Sequence, residues 1–528
     1  MASVTPSTPE SSWLKWMIVA AVMSGTIMEV IDTSAANVAL PHIAGDLGAG
    51  VDESTWVLTS YLVSNGVVLP LTGWFGIRFG RKRFFLFCQL LFVLSSMACG
   101  MAPNLMLLVF FRVLQGAGGG ALVPISQAIL METFPPAQQG MAMALFGVGV
   151  MFGPIIGPTL GGYITDNYNW RWVFYINLPV GIVALILGYL FLSDPPYLKR
   201  LKAGRLDIFG LAALCIAVGC LQVVLDKGER EDWFNTDWIV YMAVISVIAF
   251  IVFSVYELFY TKEPIVDLRV FKDKNFRVGT FLMFNLGLGL YGSIALIPLY
   301  LQSLMGYDAF KAGLATAPGG FATIIAMQIS GSAIRYVDSR TVIAIGLFIS
   351  AFGYHEMSAL TLDASFSTVV YYRMIQGFGM GMIFVPLTTT ILSYISKERM
   401  GNATGVYNFF RNIGGSIGIS VVTTFLSRRG QHHQASLVHH YTPMNLTFSD
   451  RWSSISDTLT NLTILGADPF TASQRALALL YNQLLEQSSM LAFNDCFWMI
   501  TVDFLFLVPL LALFRKGIAG QKPGSFAH

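Results

Sequence analysis

Apolar runs of about twenty residues, parted by short polar or charged connections, repeat along almost the whole chain. A helix that crosses ~30 Å of hydrocarbon needs ~20 predominantly apolar residues. Fourteen stretches have this character: 16–39, 54–76, 84–102, 105–130, 139–164, 172–193, 206–225, 236–258, 277–301, 311–334, 341–361, 366–392, 404–426 and 492–514. The pattern predicts an all-α integral membrane protein with 14 transmembrane helices. Between the last two spans lies residues 427–491, a connection far longer than the others. Within it, 474–491 has helical spacing, with Leu477, Leu480, Tyr481, Leu484 and Leu491 expected on one face.

Composition agrees. Of 528 residues, 55% are hydrophobic and 12% charged, against roughly 25% charged in soluble domains. A formal charge of +2 is too small to suggest nucleic-acid binding. Cys88, Cys99, Cys215, Cys220 and Cys496 lie in or at the ends of apolar runs without paired spacing, so neither a disulfide framework nor a zinc site is read from them. His432, His433, His439 and His440 form two close pairs in the long connection and read as solvated side chains rather than metal ligands. The polar segment before the first run has no basic n-region or small-residue cleavage site, so that run is expected to stay as a helix. With both termini cytoplasmic, 21 of the 32 Lys and Arg residues fall in inside segments and 7 outside, as the positive-inside rule requires.

Two stretches match at a distance of 261 residues: VFFRVLQGAGGG from Val109 and VYYRMIQGFGMG from Val370. Arg112, Gln115 and Gly116 align with Arg373, Gln376 and Gly377, on the fourth span of two six-span blocks. Parallel repeats of this kind characterise transporters, with the substrate site at their interface. The organisation expected is an N-terminal six-helix half (1–200), an inserted helix pair (201–260) and a C-terminal six-helix half (261–528) that includes the long outer connection.

Ionisable side chains are expensive in lipid, and inside a span they are functional candidates. Glu29 and Asp32 share a face of span 1. Helix rise puts Glu29 ~20 Å in from the inner end and Arg112 ~10 Å in from the outer end of span 4, depths that coincide. Two carboxylates facing an arginine suit a proton carrier, because burial and mutual repulsion oppose the effect of the cation. Either acid can be the main carrier, and Glu29 can instead serve a cationic substrate. Arg373, Arg411 and Asp503 are further charged candidates. On span 5, Gly149, Gly153, Gly157 and Gly161 recur every four residues, a ridge that lets a neighbouring helix approach closely. Pro154 and Pro158 interrupt its hydrogen-bond ladder and permit bending. After span 2 comes GWFGIRFGRKR, in which Gly73 and Gly80 allow turns, and Arg78, Arg81, Lys82 and Arg83 are expected to anchor the inner leaflet.

These motifs, together with TIMEVIDTSAANVALPHIAGDL in span 1, GVGVMFGPIIGPTLGG in span 5 and WRWVFYINLPVG at span 6, resemble the major facilitator superfamily. Within it they resemble the fourteen-span drug:proton antiporters of the EmrB type. The resemblance covers nearly the whole chain. It implies proton-coupled efflux of small hydrophobic or amphiphilic drugs, with a role in antibiotic resistance. It assigns Asp32 to the span 1 motif and the span 5 ridge to a gate that favours antiport. It also implies an inner-membrane location, no cofactor beyond the proton gradient, and a periplasmic membrane-fusion adaptor with an outer-membrane channel. The family usually has an acid where this chain has Ile77, which removes the charge lock of that loop as the family builds it. A dedicated single-component exporter of one metabolite, fatty acid or siderophore is the second reading. An enzyme is disfavoured, since no HExxH or Walker motif occurs.

Overall fold

In hydrocarbon a backbone amide finds no partner except within its own segment, so each apolar run closes its hydrogen bonds as a helix. A computed structural model describes residues 12–135, 138–195, 207–261, 264–442, 444–462 and 468–514. An amino-terminal block comprises α1 (Ser12–Asp46), α2 (Val51–Ser54), α3 (Trp56–Phe79), α4 (Arg81–Met101), α5 (Leu105–Thr133), α6 (Gln139–Asn167), α7 (Arg171–Tyr175) and α8 (Asn177–Phe191). Two helices follow, α9 (Ile208–Lys227) and α10 (Asp237–Val255). The carboxy-terminal block comprises α11 (Lys274–Ser303), α12 (Ala309–Ala333), α13 (Ser339–Met357), α14 (Phe366–Leu392), α15 (Met400–Val438), α16 (Leu446–Leu462) and α17 (Pro469–Leu510). Among the described residues there is no strand. Short connections end in side-chain caps: Asn104, Asp273, Asp308 and Ser365 each accept from a backbone amide of the helix they precede.

Twelve of the described helices are long and apolar enough to cross a membrane. Of the expected spans, α3 and α13 are helices of 24 and 19 residues but are not among the twelve. For α3 the cause is its inward face, which buries Thr59, Ser60, Asn65 and Thr72.

The two blocks meet along α6 against α12 and along α3 and α5 against α15. The Asn408 amide donates to Gln127 Oε1 at 2.5 Å, and the Tyr407 hydroxyl donates to the same oxygen. At the end of the bundle where α3 meets α4 the contact is backbone to backbone: a Cβ on Gly73 would lie 2.6 Å from the Asn402 backbone, and one on Gly140 would lie 2.8 Å from the Gly331 carbonyl. Helix α9 packs against α3 of the amino-terminal block and also touches α15. Thr59 donates to Asp226 at 2.6 Å, and Lys227 to Thr55 at 2.6 Å. Much of α10 turns outward, with Tyr241, Val244, Ile245 and Ile248 exposed as a lipid-facing surface.

The long connection is corrected. Residues 427–491 are largely helix: α15 runs on to Val438, α17 begins at Pro469, and α16 packs between them against α17. Apolar patterning marks where lipid ends, and a helix does not stop there. The expected face of 474–491 is also shifted. Leu480 and Leu484 are buried with Ala472, Ala476 and Ser488, a four-residue stripe, whereas Leu477, Tyr481 and Leu491 are exposed.

Candidate functional site

Asp32 lies at the middle of α1 with no exposed surface. Three neighbours saturate its carboxylate. Arg112 Nη1 on α5 donates to Oδ2 at 2.8 Å, Gln115 Nε2 to Oδ1 at 2.8 Å, and Asn177 Nδ2 on α8 to Oδ1 at 2.5 Å. Arg112 is as deeply buried. Its Nε donates to the Val57 carbonyl at 3.1 Å, its Nη1 also reaches Gln115 Oε1 at 2.8 Å, and its plane stands over the Tyr61 ring. A charged pair removed from water is costly unless its remaining donors and acceptors are satisfied, and this set nearly achieves that.

Glu29, one turn earlier, belongs to a different set. The Tyr61 hydroxyl donates to its Oε1 at 2.9 Å and Asn65 Nδ2 donates to the same oxygen at 3.3 Å. The expectation of two carboxylates facing Arg112 is therefore corrected: Arg112 binds Asp32, and Tyr61 separates the two acids by offering its ring to the cation and its hydroxyl to Glu29. Glu29 looks toward the other block instead. Asn65 accepts from Asn412 on α15 at 3.4 Å, and Arg411 lies within electrostatic reach of Glu29. Tyr61, Asn65, Asn177, Gln127, Tyr407 and Asn412 escape a search for charges because uncharged polar residues occur throughout such helices. Asn177 had one signal, its place in the run that opens span 6.

The glycine ridge of α6 lies against α1, the helix that carries both acids. A Cβ at Gly149, Gly153, Gly157 or Gly161 would come within 1.9, 2.2, 2.5 or 2.9 Å of Met23, Val30, Ser34 or Ala35. The opposite face of α6 meets the carboxy-terminal block, where Ile155 fills the space that a side chain at Gly320 of α12 would need. Position 158 lies within α6; the Pro154 side chain lies outside the described residues.

Between α3 and α4, Gly80 has φ 85° and Arg78 is exposed. Arg81 is not a leaflet anchor. It is buried, forms an ion pair with Glu132 of α5, and its Nη2 donates to the Lys397 carbonyl of the other block at 3.4 Å. Glu132 thus supplies an acid where Ile77 does not.

In the carboxy-terminal block, Arg373 donates to Gln376, Gln376 Nε2 donates to the Tyr354 hydroxyl at 2.9 Å, and that hydroxyl donates to Ser293 at 2.8 Å. Arg373 and Gln376 line a small cavity of about 50 Å³ between the blocks, walled by Met151 and Ile155 of α6 and by Met327 and Phe384. Asp503 of α17 is half-buried, with Oδ2 shielded and unbonded among the described residues. Between α15 and α17, Asp495 accepts from Arg429 at 2.5 Å and pairs with His433 at 2.7 Å. Among the described residues no group of three or more His, Cys, Asp or Glu is arranged to hold a metal ion.

Comparison with known proteins agrees with this architecture. The family model described as Major Facilitator Superfamily matches residues 22–419. Multidrug export protein EmrB of Escherichia coli (strain K12) is 37% identical over 511 residues, covering 96% of this chain and 97% of its own. Fatty acid resistance protein FarB of Neisseria gonorrhoeae is 35% identical, covering 94% and 96%. Two solved structures share the fold at low identity. The human organic anion transporter MFSD10 (TETRAN) has TM-score 0.58 at 14% identity, covering 94% of this chain and 99% of its own. The proton:xylose symporter XylE has TM-score 0.56 at 13% identity, covering 96% and 100%. The chain is a multi-pass membrane protein that belongs to the major facilitator superfamily and, within it, to the group of EmrB-like exporters.

Proposed function

We propose that the chain is a proton-coupled antiporter that exports small hydrophobic or amphiphilic drugs across the inner membrane. In this reading it has 14 spans: a six-helix half on either side of the pair α9 and α10, with both termini cytoplasmic. The observation that carries the proposal is the position of Asp32: buried, bonded to Arg112, and on a helix whose other side meets the glycine ridge of α6. Protonation of Asp32 removes the charge that holds Arg112. It frees α1 to shift along a ridge without side chains, and α6 carries that shift to α12 at the wall of the cavity. A proton entering from outside thereby exchanges for a solute leaving the cavity. Each proton falling through ~100 mV releases ~2.3 kcal/mol, enough to sustain a roughly 50-fold gradient of neutral solute. The test is ATP-free transport of a fluorescent amphiphile in proteoliposomes under an imposed pH gradient. Transport should stop when an ionophore collapses the gradient. Flux that ignores the gradient rules the reading out.

The partners of the complete pump are a periplasmic membrane-fusion adaptor and an outer-membrane channel. Support comes from the helical extension of α15, α16 and α17 beyond the apolar spans, which offers a folded surface on the outer side. Replacing 440–468 with a Gly-Ser linker should leave liposome transport intact and abolish adaptor co-purification. Retained co-purification moves the docking site elsewhere.

A further inference from the structure

We infer that Arg373 is an anion-binding subsite, and that the cavity accepts amphiphilic organic acids in ionised form; this rests on the exporter reading above. The repeat offers the contrast. At the 261-residue offset, Arg112 and Gln115 recur as Arg373 and Gln376, but Asp32 is replaced by Ser293 and Glu29 by Leu290. The arginine is kept and both carboxylates are gone. Among the described residues no carboxylate lies within ion-pair distance of Arg373, and its Nε is shielded and unbonded. Asp503, the acid beyond Tyr354, is not part of the cavity wall.

A cation held in a membrane without a counter-ion is unfavourable, and an anionic ligand relieves that cost. The rest of the geometry fixes the guanidinium for the purpose. Gln376 accepts from it and is itself anchored through Tyr354 to Ser293. Gly319 of α12 lies against its stem, where a Cβ would come within 2.6 Å of Cγ. Met151, Ile155, Met327 and Phe384 provide an apolar bed for the body of the ligand. Arginine presents a planar fork that suits a carboxylate.

The test is binding to purified, detergent-solubilised protein at neutral pH, using 1-naphthaleneacetic acid, its neutral primary amide and 1-naphthylmethylamine. Wild type should bind the acid about tenfold or more tighter than the amide, the size of one charge-assisted hydrogen bond, and the amine weakest. Arg373→Gln should bring acid and amide to similar affinity while keeping amide binding. Gln376→Glu retains the arginine but gives it an internal carboxylate, and should lose the acid preference likewise, so the inference survives misfolding of either variant. Equal binding of acid and amide by wild type, no binding of the acid, or an acid preference unchanged in both folded variants overturns the subsite. Acid preference without gradient-driven transport would remove the exporter reading and leave the subsite standing. Gradient-driven transport blind to the ligand's charge would do the reverse.

Discussion

Arg112 and Arg373 begin the same five-residue motif on helices of matching position, yet they live in opposite surroundings. Arg112 is sealed from solvent and satisfied by Asp32, Gln115 and a backbone carbonyl. Arg373 has its glutamine but, among the described residues, no acid, and it faces a cavity. The difference arises on the partner helix: α1 supplies Asp32 where α11 supplies Ser293. One duplicated arginine therefore serves two ends. With an internal carboxylate it makes a site whose state changes with one proton; without one it leaves a positive charge for a solute to answer.

The largest effect should come from removing the amino-terminal acid. Asp32→Asn is expected to abolish gradient-driven efflux while membrane abundance is unchanged. Wild-type drug resistance in that variant would end its role as proton carrier. Arg112→Ala should fail too, and Arg112→Lys should recover only part, because an ammonium cannot reproduce the fork that reaches Asp32, Gln115 and the Val57 carbonyl together. The glycine ridge ranks next. Gly157→Leu drives a side chain into Ser34 and should reduce exchange to near background. Gly45→Leu, on α1 where nothing lies within 4 Å of the added carbon, should not. Similar kinetics in the two variants would show that the ridge plays no part in coupling.

How much of this could be read from residues alone depends on how rare the signal was. Asp32, Arg112 and the α6 ridge stood out because ionised groups and four-residue glycine spacing are uncommon in apolar helices. Depth estimates from helix rise put Glu29 level with Arg112, one helical turn from Asp32, the acid that the arginine binds. They could not tell which acid met the arginine, because Glu29 and Asp32 share a face and the difference is made by Tyr61, a residue on another helix. The role of Arg81 was misjudged for a similar reason. Its partner Glu132 lies at the end of α5, remote in sequence, so a local reading saw only a basic loop. Of the connection 427–491 only 474–491 shows helical spacing in the sequence, because patterning reports contact with lipid and α15 and α17 continue past it.

Smaller effects sharpen the contrast between the two arginines. Ser293→Asp installs on α11 the acid that α1 has. Acid export should fall about tenfold, in line with one charge-assisted contact, while export of a neutral amphiphile continues. Equal losses for both solutes would indicate general damage to α11. Smaller still, Glu132→Gln should loosen the contact that Arg81 makes between the blocks. Labelling of Gly401→Cys from the inside should rise a few-fold with modest loss of transport. Unchanged labelling would mean that the close approach of Gly73 to Asn402 holds that end without the ion pair.

The division between the two arginines is tested most directly by following protons and ligand in one experiment. Purified protein in weakly buffered detergent solution would be titrated with 1-naphthaleneacetic acid while a pH indicator records proton exchange. Wild type should bind the acid with a coupled proton change. Asp32→Asn should keep the binding and lose the proton change, and Arg373→Gln should lose the preference for acid over amide yet still titrate. If Asp32→Asn abolishes acid binding while Arg373→Gln abolishes the proton change, the two sites have been assigned the wrong way round.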